Sequence, residues 1–284
     1  MRIDAPVGRL IAYILLIAGS VAFLFPLLWM VSTSLKPIEE TMQIPPVWIP
    51  SVIQWHNYSE AITYGSDKVG YIPFARYTLN TLYLAILGVV GTVLSNALVA
   101  YGFARIKFKG RDVLFAIALA TMMVPFPVTM VAVFAIFREL GWIGSFKPLW
   151  VPAFFGSAFN IFLLRQFFLT IPQELSDAAR IDGCSELGIF RHVVLPLSKP
   201  ALAVVALFHF LFVWNDFLGP LIYLTNQKMF TLSLGLQFYQ SQHGGTEWHM
   251  LMAASAIVVL PLIVLFFFTQ RQFIQGITLT GLKG

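Results

Sequence analysis

Apolar residues in this chain come in long blocks, without the short alternation of a strand or the single stripe of a surface helix. Residues 10–31 carry no charge, and 77–103, 113–137, 149–168, 200–224 and 250–269 share that character apart from Arg165 and Asp216. A hydrocarbon core of about 30 Å is crossed by roughly 20 apolar helical residues. The pattern therefore predicts six membrane-spanning helices. The block 10–31 is too long for a signal-peptide core and lacks a small-x-small cleavage site, so it reads as a retained first span. Pro125 and Pro127 in the third block and Pro261 in the sixth are expected to interrupt and kink their helices, since each removes a backbone donor. The expected fold is an all-α polytopic membrane protein, a single transmembrane domain over 1–284.

Orientation follows from the basic residues. With the N-terminus in the cytoplasm, the inner segments hold twelve Lys or Arg (Arg2, Arg9, Arg105, Lys107, Lys109, Arg111, Arg165, Arg180, Arg191, Lys199, Arg271, Lys283), and the outer ones hold six (Lys36, Lys68, Arg76, Arg138, Lys147, Lys228). Basic residues accumulate on the cytoplasmic side of membrane proteins, which favours both termini inside. The short loop from Arg105 to Arg111 is the strongest contributor. Two loops are long: 32–76, outside and rich in Pro and Trp, and 169–199, inside.

Composition agrees and closes other routes. Hydrophobic residues make up 58% of the 284 and charged ones 11%, with a mean hydropathy of +0.80; average soluble chains hold about 25% charged residues. Neither a soluble globule nor a disordered chain is built this way. The net charge of +5 is explained by the inner loops without a nucleic-acid partner. Cys184 is the sole cysteine, so no internal disulfide forms.

The inner loop has its own chemistry. Thr170 is expected to cap a helix, with Pro172 in its first turn and Gln173 completing a capping box. Glu174 suits the positive end of that helix. Leu175, Ala178 and Ala179 fall at i, i+3 and i+4 as a narrow apolar stripe, surrounded by Asp177, Arg180 and Asp182. Gly183 supplies a left-handed stop. Ser185 is placed to cap a second short helix that Pro196 ends. The product is a helix–Gly–helix hairpin, suited either to press into a groove on a partner or to serve as a well-capped connector.

Asp177, Ala178, Ala179, Gly183, Val193, Leu195 and Pro196 stand at the spacing D-A-A-x3-G-x9-V-x-L-P. This resembles the EAA loop of ABC importer permeases, E-A-A-x3-G-x9-I-x-L-P, with Asp for Glu and Val for Ile. The resemblance extends to the stretch from Trp214 through Asn215 and Asp216 to Leu224, to Phe25-Pro26 with Ser34 to Pro37, and to Gln270, Arg271, Phe273, Gly276 and the ending Leu282-Lys283-Gly284. It is similar to the shorter, six-span subunit of maltose-type (MetI-like) carbohydrate permeases. That resemblance implies a bacterial or archaeal cytoplasmic membrane, a second homologous permease, two ATP-binding cassette ATPase subunits, an extracytoplasmic sugar-binding protein and a sugar substrate. It also implies that Glu174, Asp177, Ala178, Ala179, Arg180, Asp182, Gly183, Leu195 and Pro196 dock an ATPase.

The chain has no G-x-x-x-x-G-K-[ST] to cradle nucleotide phosphates, and no H-E-x-x-H, G-x-S-x-G or G-x-G-x-x-G. His56, His192, His209, His243 and His249 are scattered without a ligand neighbour at metal spacing. An enzyme is a poor hypothesis, and no cofactor is expected. The competing class is an ion-coupled secondary transporter, which would use buried ionisable groups and often paired halves; Asp216 is the one carboxylate deep in a predicted span, and no internal repeat is visible. Polar groups inside hydrocarbon mark a pathway or hold helices together. Asn160, Trp214, Asn215 and Asp216 are the pathway candidates, with His209 suiting either role. Asn80 and Asn96 read as interhelical hydrogen-bonding residues beside a close-packing face of Gly88, Gly91 and Ser95.

Overall fold

The computed structural model describes residues 6–63, 73–240 and 245–281, and the side chains of 8–63, 73–240 and 245–270. Arg2, Lys68, His243 and the ending Leu282-Lys283-Gly284 lie outside the described residues, as do the side chains of Arg271 and Phe273. Among the described residues the chain is helical, with an isolated bridge between Gln240 and Thr246. In order, α1 (Pro6–Ser34), α2 (Ile38–Thr41), α3 (His56–Thr63), α4 (Phe74–Arg105), α5 (Arg111–Ala120), α6 (Phe126–Glu139), α7 (Lys147–Trp150) and α8 (Ala158–Thr170) lead to the loop of residues 169–199. There follow α9 (Gln173–Ile181), α10 (Glu186–Ile189), α11 (Leu195–Leu197), α12 (Lys199–Asn215), α13 (Leu218–Tyr223), α14 (Leu232–Gly235) and α15 (Trp248–Gly281).

Four stretches among the described residues are long and apolar enough to cross a membrane: Gly8–Ser34, Phe74–Arg105, Lys147–Thr170 and Trp248–Gln270. Two bent pairs, Arg111–Met123 with Phe126–Glu139 and Glu186–Leu197 with Lys199–Asn215, raise the number to six if each is one span. This is the helical architecture of a polytopic membrane protein. Side chains of α1 such as Leu10, Ile14 and Phe23 are exposed, Phe23 at 89%. In water such a surface would be untenable; against lipid or another apolar helix it is the stable arrangement.

Two compact units are formed. In the first, which holds 1–74 and 236–261, the long loop after α1 is folded rather than a plain linker. Trp48 packs on Trp29 and Phe25 at 4.8 and 5.1 Å between ring centres. Asn57 donates to the carbonyls of Ser34 and Lys36 at 2.9 and 3.0 Å, and Ser34 pairs with the Tyr58 hydroxyl at 2.7 Å. Lys36 is fully buried; its ammonium donates to Thr33 Oγ1 at 3.2 Å and lies 3.8 Å from the centre of the Trp29 ring. The ring face attracts that charge, while burial pushes the Lys36 pKa below its ordinary value.

The second unit holds 75–235 and 262–284. Its core joins the last turns of α4 (Ala97, Ala100, Tyr101, Ala104) to Phe115 of α5, Leu164 and Phe168 of α8, Ile189, Phe190 and Val194 of the 169–199 loop, and Ala201 and Val205 of α12. The run of alanines on α4 lets neighbouring backbones approach closely.

Three predicted spans are broken, the third near its expected proline interruption and the fourth and fifth where the sequence blocks looked continuous. The third turns by 100° between Met123 and Phe126, because a residue before proline is pushed out of the helical region; Val124, before Pro125, is extended at φ −84°, ψ 113°, and Pro125 itself stands at φ −65°, ψ 140°. Pro127 interrupts nothing: it stands in the first turn of α6, where no donor is needed. The fourth block opens with α7 and a tight turn over Val151–Phe155, breaks at Gly156 (φ 82°) and resumes as α8. The fifth ends its main helix at Asn215 and restarts at Leu218. α15, in contrast, continues through Pro261.

Candidate functional site

Two features gather the residues singled out by the sequence: the hairpin of residues 169–199, and the polar groups within the second unit. In the hairpin, α9 starts one residue after Pro172 without a side-chain cap. The expected capping box is absent. Thr170 is the last residue of α8 and donates backwards to the Phe167 carbonyl at 2.7 Å, and Gln173 is occupied elsewhere. The Gly183 stop forms at φ 85°, with its amide and that of Asp182 closing on Arg180 and Ala178. Ser185 caps α10, accepting from the Gly188 amide at 3.2 Å. Pro196 does not end the second helix: a π turn over Phe190–Val194 carries it into α11, and the chain bends at Ser198 into α12.

The faces of α9 differ from the expected stripe. Ala179 is half-buried and packs on the core of the second unit, beside buried Ser176. Leu175, Ala178 and Ile181, spaced three residues apart, point outward; Ile181 is 87% exposed, and Leu187 of α10 is 67% exposed next to the turn. Glu174 and Asp182 flank this face and are exposed. Leu195 packs half-buried on the core, and Pro196 is exposed. Asp177 and Arg180 pair with each other at 2.6 Å, and Arg180 reaches across the Gly183 turn to Glu186 at 2.9 Å. The Arg180 guanidinium, helped by the Tyr101 hydroxyl, holds the Glu186 carboxyl below its ordinary pKa.

Two residues of α4 that the sequence did not mark for this role hold this hairpin in place. The Tyr101 hydroxyl donates to Glu186 Oε2 at 2.8 Å. Arg105 donates to Gln173 Oε1 at 2.6 Å and to the carbonyls of Phe168 and Ile171 at 2.5 Å. Tyr101 and Arg105 are one turn apart on α4. Their spacing was readable, but their partners lie more than sixty residues away in the chain.

The pathway candidates are engaged locally. Asn160 donates to Ser157 Oγ at 2.9 Å. Trp214 is buried and stacked on Phe210 with ring centres 5.3 Å apart. Asn215 donates to the Leu211 carbonyl at 2.8 Å and is exposed. Asp216 accepts from the Gly219 amide at 3.0 Å, securing the first turn of α13 at the break in the fifth span. Because the amide oxygen of asparagine also accepts, Asp216→Asn is expected to assemble at wild-type yield, while Asp216→Ala loses yield on detergent extraction. Equal yields of Asp216→Ala and wild type would contradict this positional role.

The polar residues of α4 do hold helices together. Asn96 is buried and accepts from the Ser157 amide at 2.7 Å, where the chain leaves the Gly156 break. Ser95 donates to the Ala153 carbonyl at 3.0 Å, and Asn80 donates to the Lys228 and Phe230 carbonyls at 3.0 and 2.9 Å. A Cβ at Gly88 would stand 2.6 Å from His209 Nε2, and one at Gly91 would stand 2.4 Å from the Phe154 ring. Only glycine fits at either approach.

Residues 94–279, which include the whole hairpin, match the family described as binding-protein-dependent transport system inner membrane component. The chain belongs to this family. The permease is 36% identical over 267 residues to the arabinooligosaccharides transport system permease protein AraQ of Bacillus subtilis, covering 93% of this chain and 92% of that one. It is 30% identical to the sn-glycerol-3-phosphate transport system permease protein UgpE of Rhizobium meliloti, covering 97% and 98%. The trehalose/maltose transport system permease protein MalG of Thermococcus litoralis is 31% identical, covering 95% and 97%. In fold, the permease is similar to a chain of a bacterial ABC transporter involved in the import of the acidic polysaccharide alginate, with a TM-score of 0.81 at 23% identity over 95% of this chain and 98% of that one.

Proposed function

We propose that this permease is one half of the membrane domain of an ATP-driven importer for a carbohydrate or a related polyol. The observation that carries the reading is the outward apolar face of the hairpin, Leu175, Ala178, Ile181 and Leu187, standing exposed between Glu174 and Asp182. An apolar knob with an acidic rim on a membrane protein's loop suits insertion into a groove on a soluble partner. A relative named as a probable ABC transporter permease protein supports ATPase subunits as that partner, and the arabinooligosaccharides, trehalose/maltose and sn-glycerol-3-phosphate transport systems named for others support the substrate class.

In this reading the chain crosses the membrane six times, with both termini and the hairpin inside. A second permease completes the pathway, and an extracytoplasmic binding protein delivers the sugar. Hydrolysis belongs to the partner ATPases. ATP acts by binding one conformation of the assembly better than the other, and the hairpin carries that difference into the membrane. Asn160, Trp214, Asn215 and Asp216 are proposed to border the pathway near the breaks in the fourth and fifth spans, where irregular backbone inside a membrane is tolerated only against protein or a water-filled cavity.

Orientation is tested by labelling intact cells. A cysteine replacing Gln43 is expected to react with an impermeant reagent, and one replacing Lys109 is not. The reverse pattern would place the hairpin outside and sink the docking role. Function is tested by reconstituting the whole complex with its binding protein in liposomes and screening sugars and polyols for stimulated ATP hydrolysis. Stimulation by none of them, or uptake driven by an ion gradient without ATP, would overturn the proposal.

A further inference from the structure

We infer that Tyr101 and Arg105 are positioning residues that clamp the hairpin to α4, making α4 the helix through which hairpin movement reaches the interior of the second unit. This rests on the proposed function and adds to it the route of the coupling.

The hairpin is covalently continuous with α8 before it and, through α11, with α12 after it. Those neighbours are the obvious route for its motion. Hydrogen bonds add a route through α4, part of it by way of the end of α8, since Phe168 lies in α8 and Ile171 follows it. The hairpin's two helices are each gripped from α4: the second by Tyr101, which donates to Glu186 at 2.8 Å, and the entrance to the first by Arg105, which donates to Gln173, Phe168 and Ile171. Arg180 also ties the two helices to each other through exposed pairs with Asp177 and Glu186. Hydrogen bonds that involve a charged partner are the strong ones, and Arg105 presents a rigid planar fork that a lysine does not reproduce.

The middle of α4 shows what would be moved. Going up the same helix, Asn96 and Ser95 hold the backbone at Ser157 and Ala153, on either side of the Gly156 break. Gly91 lies against Phe154, and Gly88 against His209 of α12. From Arg105 to Gly88 is seventeen residues, about 25 Å of helix at 1.5 Å each. α4 thus carries a clamp on the hairpin at one end and hydrogen bonds to the break in the fourth span at mid-length. A packed helix does not compress, so displacement at the clamp is displacement at the break.

The test uses the complete transporter in liposomes, measuring ATPase stoichiometry, basal hydrolysis and substrate-stimulated hydrolysis. Tyr101→Phe removes one oxygen and leaves the ring packed on Phe190. It is expected to keep wild-type ATPase stoichiometry and basal hydrolysis while stimulated hydrolysis falls roughly tenfold, the scale of one hydrogen bond to a charged group. Arg105→Lys should show the same split. Glu186→Gln, which still accepts from Tyr101, should keep more stimulation than Glu186→Ala. Tyr101→Phe combined with Glu186→Ala should lose little beyond Glu186→Ala alone, since the Tyr101 hydroxyl then keeps only its long 3.3 Å bond to the carbonyl of residue 186. Wild-type stimulation in both Tyr101→Phe and Arg105→Lys would overturn the inference. So would additive losses in the double variant, or release of the ATPases by Tyr101→Phe. Leu175→Asp with Ile181→Asp reports separately on docking: if that variant retains its ATPases, the proposed docking face is wrong, whatever the clamp variants do.

Discussion

Gly183→Val is expected to release the ATPase subunits from the complex, or to retain them without substrate-stimulated hydrolysis, while the spans remain inserted. Space is not the reason, since a Cβ at Gly183 would meet nothing within 4 Å. The backbone is: φ is 85° there, a conformation costing a residue with a Cβ roughly 1–2 kcal/mol and especially poor for a β-branched one. The chain avoids that cost by changing the angle between α9 and α10, which displaces the Arg180–Glu186 pair and splits the outward face of Leu175, Ala178 and Ile181 from Leu187. Because the site is exposed, overall stability should hardly change. Gly183→Asn is the control, since asparagine tolerates the left-handed region, and it should keep most of the stimulation. Purification from cells expressing all partners, with ATPase stoichiometry and turnover measured together, decides it. Wild-type values for Gly183→Val would remove the hairpin from the coupling route.

Asn96→Ala is expected to destabilise the permease by about 1–3 kcal/mol, the usual cost of a buried donor left without a partner. The orphaned group would be the Ser157 amide, which donates to Asn96 Oδ1 at 2.7 Å where the fourth span is broken. Asn96 is buried, at 1% exposure, so little water reaches the vacated acceptor position. Asn96→Asp should be worse, because a carboxylate would face the Thr92 carbonyl, to which the Asn96 amide now donates at 2.7 Å. A lowered thermal midpoint of the solubilised protein, with α1 and α15 still inserted, is the expected result. An unchanged midpoint for Asn96→Ala would mean that the Ser157 amide has another partner.

The apolar blocks were legible because a bilayer makes one demand on a spanning helix, roughly twenty residues without charge, and composition alone satisfies it. Gly183 and Ser185 were legible for a similar reason. A left-handed stop and an N-cap are satisfied within four residues, so local chemistry decides them. Thr170 shows the limit of that reasoning. Its capping box was chemically sound, yet Gln173 is taken by Arg105 and Thr170 remains inside α8.

What only the tertiary structure decided is where distant polar groups meet. Ala179 and Ala178 are adjacent and chemically identical, yet one packs on the core and the other faces outward; the inward face of α9 is chosen by α4 and α8, not by its own pattern. The breaks at Gly156 and Asp216 were hidden inside hydrophobic blocks, because hydropathy does not register an unwound backbone whose amides are met by Asn96 and by Asp216 itself. The sequence by itself determined that this chain lives in a membrane, carries a glycine-jointed hairpin and resembles the importer permeases. Which helix holds that hairpin depended on Tyr101 and Arg105 reaching partners more than sixty residues away, and pairing at that distance is set by packing, which no local periodicity encodes.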